Sequence, residues 1–176
     1  MTPHEKFEHK YRNPKPGRTL IVGSHVYPGR EDRRKLYRDA IGIDMIPGEG
    51  VDAVRDLESI IQLVEFGTFD HIECRSVLEH SKKPWLLARN LEMLMAPDAT
   101  IDISVPFVWR VHGYPSDYWR FTTEAVRELF PAIEWAALVY ATSEQLVKHG
   151  EKTPKTAVDG HVYIARSEVL GWGVKK

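Results

Sequence analysis

The chain has 176 residues, 43% of them hydrophobic, and a formal net charge of −1. That length suits one domain around one core. The balanced charge offers no basic field for nucleic acid or anionic lipid, so neither is expected as a partner. A single cysteine, Cys74, excludes an internal disulfide framework and fits a reducing cytoplasm. The opening stretch MTPHEKFEHKYRNPKPGR is polar and lacks the apolar core of a signal peptide. No apolar run has the length of a membrane span.

Residues 1–18 carry Pro14, Pro16 and Gly17 and read as an irregular lead-in, with residues 19–176 as a single domain. TLIVG, residues 19–23, is a short apolar β run ending in glycine. Residues 31–38 are charged and suit a short exposed helix. AIGID, residues 40–44, and residues 51–56 are two further strands, each ending in an acid. Residues 59–65 place Ile60, Leu63 and Val64 at helical spacing. FDHIEC, residues 69–74, reads as a fourth strand. Residues 81–95 form the clearest helix, with Ser81 as N-cap, Pro84 in the first turn and Leu87, Leu91, Leu94 and Met95 as one stripe. TIDISV, residues 100–105, is a fifth strand. A helix over residues 123–130 has Thr122 as cap. Residues 133–140 and 161–165 are late strands, and residues 142–160 between them read as a loop or short helix.

Strands alternating with helices predict an α/β sheet, largely parallel and covered on both faces. Ligands of such sheets bind at the carboxyl ends of the strands, near the reversal of strand order. The residues there each admit two readings. Gly23 is a close-approach point for a ligand or a plain turn glycine. Asp44, about 20 residues on, can take both ribose hydroxyls or be a solvated turn acid. Asp56, followed by Leu57, can face an adenine or cap the next helix. In CRSVLEH, residues 74–80, the mix of Cys, Glu and His lacks paired ligands at metal spacing, so no metal is expected. Glu79 and His80 can instead orient each other or shape the mouth of a site. The loop VHGYPSDYWRFT, residues 111–122, is too rich in rings and ionisable groups for a plain connector. His112, Asp117 and Tyr118 suit acid–base work or substrate hydrogen bonding. Trp109, Tyr118 and Trp119 can stack on a ligand. Alternatively Trp119 and Phe121 plug the core, Asp117 and Arg120 form a structural ion pair, and Arg120 can serve either side.

Taken in order, Gly-Ser, GIDMIPGEGVDAVRD, FDHIECRSVLEH, LMAPDATIDISVP and HGYPSDYWRFT resemble class I S-adenosylmethionine-dependent methyltransferases, in particular the type 11 group. The resemblance covers residues 19–130, and HVYIAR is similar to the family's closing antiparallel strand. It implies a Rossmann-like three-layer sandwich with a seven-stranded, mostly parallel sheet whose last strand is antiparallel. It implies S-adenosyl-L-methionine as cofactor, with Gly23 and Ser24 at its methionine part, Asp44 and Met45 at the ribose, Asp56 and Leu57 at the adenine, and the backbone of Cys74, Arg75 and Ser76 beside the methionine moiety. The expected activity is methyl transfer to a small-molecule or glycan-like acceptor, with His112 or His80 as general base and Asp117 and Tyr118 positioning the acceptor. The chain departs from the family pattern: Ile21 stands where many members have an acid, and Gly-Ser-His-Val-Tyr replaces the glycine-rich turn. A helical lid at the N-terminus is expected to be missing or very short. The alternative is a non-catalytic scaffold or partner-binding module with weak or lost cofactor binding.

Overall fold

A computed structural model of the chain describes residues 1–13, 17–59, 64–113, 116–142, 145–148, 155–158, 161–164 and 167–176. The strands are β1 (Arg18–Val22), β2 (Asp39–Asp44), β3 (Ala53–Val54), β4 (Phe69–Arg75), β5 (Met95–Val108), β6 (Ile133–Thr142), β7 (Leu146–Lys148), β8 (Lys155–Val158), β9 (His161–Ile164) and β10 (Ser167–Lys175). Eight of them form one sheet in the order β3-β2-β1-β4-β5-β10-β6-β7, while β8 and β9 pair apart as a two-stranded sheet. The run from β3 to β5 is parallel. β10 lies antiparallel between β5 and β6, and β7 extends the edge antiparallel to β6. The mixed, mainly parallel architecture is the expected one. The closing antiparallel strand is SEVLGWGVK rather than HVYIAR, whose residues 161–164 belong to the separate pair. Residues 165 and 166, like residues 60–63 of the expected helix at 59–65, lie outside the described residues.

Strand alternation sends successive side chains to opposite faces, and the two faces of this sheet differ in chemistry. One face carries Leu20, Val22, Ile72, Cys74, Ile101 and Ile103 into the main core. Helix α2 (Pro84–Leu94) covers it through Leu87, Leu91 and Leu94, and helix α3 (Thr123–Leu129) through Val126. Thr122 caps α3 by accepting from the Ala125 N–H at 3.1 Å. Ser81 does not cap α2: Lys83 holds the cap position without a side-chain bond. Instead the Glu58 carboxylate accepts from the N–H groups of Lys82 (2.8 Å) and Lys83 (3.2 Å), where an acid also suits the helix dipole.

The other face is polar at its centre. His71, Glu73 and Arg75 of β4 lie beside Thr100 and Asp102 of β5. Glu73, 2% exposed, accepts from Arg33, Tyr37 and Arg12. Burial opposes its charge, but the bonds from Arg33 and the neighbouring guanidinium of Arg75 hold its carboxyl below the ordinary value. Further along, Phe7, Ala137, Val139, Leu170 and Trp172 make a small second core. It lies under helix α1 (Pro3–Tyr11), which replaces the irregular lead-in expected there. The reason is local: Thr2 and Glu5 form a reciprocal capping box and Pro3 sits in the first turn. Between β1 and β2 the expected exposed helix is only a 3-10 turn, Arg33–Leu36, capped by Asp32. No helix among the described residues is long and apolar enough to cross a membrane.

His71 makes this polar face sensitive to acid. It has no exposed surface, it stacks on Trp172 at 5.3 Å, and its Nδ1 lies 2.8 Å from Thr100 Oγ1. Burial, with some repulsion from Arg12, lowers its pKa from 6.5 to about 4. Unfolded chain therefore takes up a proton near pH 6.5 that folded chain refuses until about pH 4. Stability should fall as pH drops through that window, by up to about 3 kcal/mol at its lower end. Urea denaturation at pH 7 and pH 4.5 checks this; His71→Gln should lose less stability on acidification than the parent.

Candidate active site at the strand ends

β2 and β3 lie on one side of β1, and β4 and β5 on the other. The order therefore reverses between β1 and β4, and their carboxyl ends frame a crevice. On the β1 side, Gly23 adopts φ +69. A Cβ there would stand 2.5 Å from Val77 Cγ2. Glycine thus serves both the left-handed conformation and the close approach of the β1 and β4 loops. No helix start follows. The N–H groups of Gly23 and Ser24 both donate to the Ile43 carbonyl, at 2.9 and 3.2 Å, so both are used between the β1 and β2 ends. Ser24 is buried, and its Oγ has no hydrogen-bond partner.

Asp44 ends β2 beside this turn. Its Oδ2 accepts from the His25 N–H and its Oδ1 from the Ile46 N–H, each at 3.1 Å. Two backbone donors thus fix the carboxylate while each oxygen keeps room for a further donor. Met45 beside it is 57% exposed. Asp56 and Leu57 follow β3. Asp56 Oδ1 accepts from the Glu58 N–H at 2.9 Å, a turn bond at the start of the next segment. Leu57 is 4% exposed within the main core, so its side chain offers little platform.

Across the reversal, Cys74 has no exposed surface, and burial pushes its thiol pKa up. Arg75 points to the polar face and pairs with Asp102 and Glu8. Neither side chain faces the crevice. Ser76 is exposed, holds φ +53 and donates its N–H to the Ser104 carbonyl at 2.8 Å. The chain then turns through a 3-10 turn, Leu78–His80, that sets Glu79 and His80 side by side. Glu79 is 1% exposed, its Oε2 lacks a partner, and burial raises its carboxyl pKa to about 8.

The loop after β5 folds onto this turn. Tyr118 N–H donates to the Glu79 carbonyl at 2.8 Å, and Trp119 Nε1–H to the Ser81 carbonyl at 2.9 Å. His80 Nδ1 bonds the Ser116 carbonyl. Phe121 plugs the core, but Trp119 stays 38% exposed, edge-on to Trp85. Asp117 does not face an acceptor. Arg120 grips its carboxylate through both Nη atoms, one at 2.8 Å, and the His112 N–H donates to the same group at 2.8 Å. The Arg120 bonds, against the cost of burial, hold the Asp117 carboxyl well below its usual range. His112 lands against His80, rings edge-to-face at 5.0 Å. Tyr118 is 45% exposed at the rim. The structure thus unites His80, His112 and Tyr118 and assigns Asp117 and Arg120 to the loop's own architecture. Glu79 joins them as a central group because of its burial, which residue type alone does not reveal.

No protein-family model matches the sequence, and no curated protein does. Solved structures match the fold. An S-adenosylmethionine-dependent methyltransferase from Anabaena variabilis superposes with TM-score 0.66 at 13% identity, over 98% of this chain and 82% of that one. A chain from the complex between the Haloferax volcanii Trm112 methyltransferase activator and a putative methyltransferase gives 0.63 at 13%, over 98% and 88%. The N-methyltransferase NodS of Bradyrhizobium japonicum, bound to S-adenosylhomocysteine, gives 0.58 at 14%, over 91% and 79%. The fold is that of the class I S-adenosylmethionine-dependent methyltransferases.

In this methyltransferase fold, the Asp117–Arg120 pair joins a covered carboxylate to a guanidinium that keeps part of its surface in solvent. Arg120→Met should leave Asp117 with the His112 N–H alone and lower stability by roughly 1–2 kcal/mol. Denaturant midpoints check this, and Asp117→Asn in the same background should recover part of the loss.

Proposed function

We propose that the protein binds S-adenosylmethionine at the β1 and β2 ends and transfers its methyl group to a small-molecule acceptor at the β4 and β5 ends. The observation that carries this is Asp44: a carboxylate held by two backbone N–H groups, beside the Gly23 turn and the unpartnered Ser24 Oγ. A carboxylate so oriented is matched to a pair of vicinal ribose hydroxyls. When bound, the cofactor supplies the electrophilic methyl carbon and the sulfur leaving group.

The protein's part is to align an acceptor with that carbon and exclude competing nucleophiles. His80 and His112, each with Nδ1 near a carbonyl or carboxylate oxygen, present Nε2 as the basic nitrogen. With its Nε2 free of any ion, either can take a proton from a hydroxyl or a protonated amine. Tyr118 offers its ring at the rim. A glycan-like acceptor suits this polar, ring-bordered setting. A cytoplasmic location suits the single buried thiol of Cys74.

A second reading is a scaffold or partner-binding module. It is favoured by the want of a helix between β1 and β2 and by the assembly of the Haloferax relative with an activator. Calorimetric titration with S-adenosylhomocysteine separates the two. Binding is expected, and Asp44→Ala should weaken it by about ten- to a hundredfold, the loss of one charge-assisted pair, with little change in melting temperature. No heat and no thermal shift at millimolar ligand would sink the methyl-transfer reading and favour the scaffold.

A further inference from the structure

We propose that Glu79, His80 and His112 form a binding site for one divalent transition-metal ion. The three residues come from two loops, the turn after β4 and the loop after β5, so their sequence spacing does not advertise a ligand set. In the fold, one ligand atom from each lies within 4.8 Å of the others. Glu79 Oε1 is 3.8 Å from His80 Nε2 and 3.9 Å from His112 Nε2. Tetrahedral coordination at zinc-like bond lengths sets donors roughly 3.3–3.6 Å apart. Small rotations about the side-chain bonds would complete the fit.

The hydrogen bonds around the cluster argue for a cation at its centre. His80 Nδ1 bonds the Ser116 carbonyl, which can only accept, so the ring hydrogen sits on Nδ1. His112 Nδ1 lies 3.2 Å from Asp117 Oδ2 and 3.3 Å from the Arg110 carbonyl, again acceptors only. Both rings, when neutral, therefore turn an Nε2 lone pair toward the Glu79 carboxylate. With Glu79 ionised, three acceptor atoms face one another, an arrangement that a cation between them relieves. The contacts at 3.8 and 3.9 Å are too long for hydrogen bonds, so the cluster has not closed on itself. Glu79 Oε2, buried, has no partner at all. Arg120, the guanidinium on this loop, is already bidentate to Asp117.

The surroundings also match how metal-binding histidines are held. Each ring is oriented through Nδ1 by a carbonyl or carboxylate, and that outer carboxylate, Asp117, is itself fixed by Arg120. Two imidazoles and one carboxylate favour borderline ions such as zinc, cobalt or nickel over calcium or magnesium, which seek oxygen shells. Three protein ligands leave a coordination position for water or an acceptor oxygen.

The site is tested without any methyl donor, so its failure and that of the methyl-transfer reading are separable. Metal-free protein is titrated with Zn²⁺ by calorimetry and with Co²⁺ by visible absorption. One ion should bind per chain, Co²⁺ should give the absorption bands of a low-coordinate site, and the melting temperature should rise. His80→Ala, His112→Ala and the near-isosteric Glu79→Gln should each weaken binding about tenfold or more. His9→Ala, on the exposed face of α1, should bind like the parent. If an alanine variant fails to fold by circular dichroism, His80→Gln or His112→Gln takes its place. The proposal is overturned by absence of binding at millimolar ion, by affinity retained in the folded Glu79 and histidine variants, or by equal loss in His9→Ala.

Discussion

The ion pair between Asp117 and Arg120 is the contact on which the geometry of the crevice depends. Asp117 is 1% exposed, yet its carboxylate is satisfied by Arg120 and by the His112 N–H. Arg120 also donates to the carbonyls of Trp109, Arg110 and Trp119. One guanidinium therefore ties the outgoing and returning arms of the loop after β5. The guanidinium is part exposed, so the pair itself adds modest net stability; what it does geometrically is hold the two arms of the loop together. Once the loop is closed, Tyr118, Trp119 and Ser116 reach the turn at residues 79–81 through one backbone–backbone bond and two side-chain-to-backbone bonds. The position of His112 against Glu79 follows from that sequence of contacts.

The two faces of the sheet solve burial differently. The apolar face is sealed by α2 and α3 in the ordinary way, through residues at helical spacing. The opposite face has no helix between β1 and β2, and its central residues are charged. Glu73 and Asp102 are kept there by Arg12, Arg33, Arg75 and Tyr37. Long arginine side chains cover sheet surface with their stems while their heads neutralise the buried acids. Helix α1 covers the far end, where Phe7 meets Val139, Leu170 and Trp172, and reaches the polar centre through the Glu8–Arg75 pair. The N-terminal segment thus completes the sheet rather than leading into it.

The apolar alternation of β1, β2, β4 and β5 and the stripe of α2 were legible because each obeys a local period. β10 was not, because Gly171 and Gly173 interrupt its apolar run and its identity as a strand comes from insertion between β5 and β6. α1 was missed for another reason: its capping box is visible in Thr2 and Glu5, but the prolines that follow outweighed it. Within the site, Gly23, Asp44, His80 and His112 could be chosen from position at strand ends. Where the Arg75 and Leu57 side chains go was not legible, since it depends on register and on how the loop after β3 packs. Glu79 gains its character from burial and a missing hydrogen bond, which no single-residue feature announces.

The β1 turn shows what class of ligand the crevice suits. A dinucleotide fold presents free backbone N–H groups at a helix start, which favours phosphate. Here the same donors turn inward: Gly23 and Ser24 serve the Ile43 carbonyl, and the Val26 N–H serves Glu49 at 2.8 Å. The β2 loop packs tightly to receive them. Gly50, at φ +86, lies where a Cβ would stand 2.4 Å from the Ser24 carbonyl oxygen. What the turn leaves beside the crevice is the carboxylate of Asp44, while the Ser24 hydroxyl is buried against Gly42. Such a surface is short of donors for an anion and supplied with acceptors. It suits hydroxyl and cationic groups better than a pyrophosphate, in keeping with the proposed function. The replacement of a glycine-rich turn by Gly-Ser-His-Val-Tyr is then consistent with a ligand of that polarity, bound by loop against loop in place of a helix dipole.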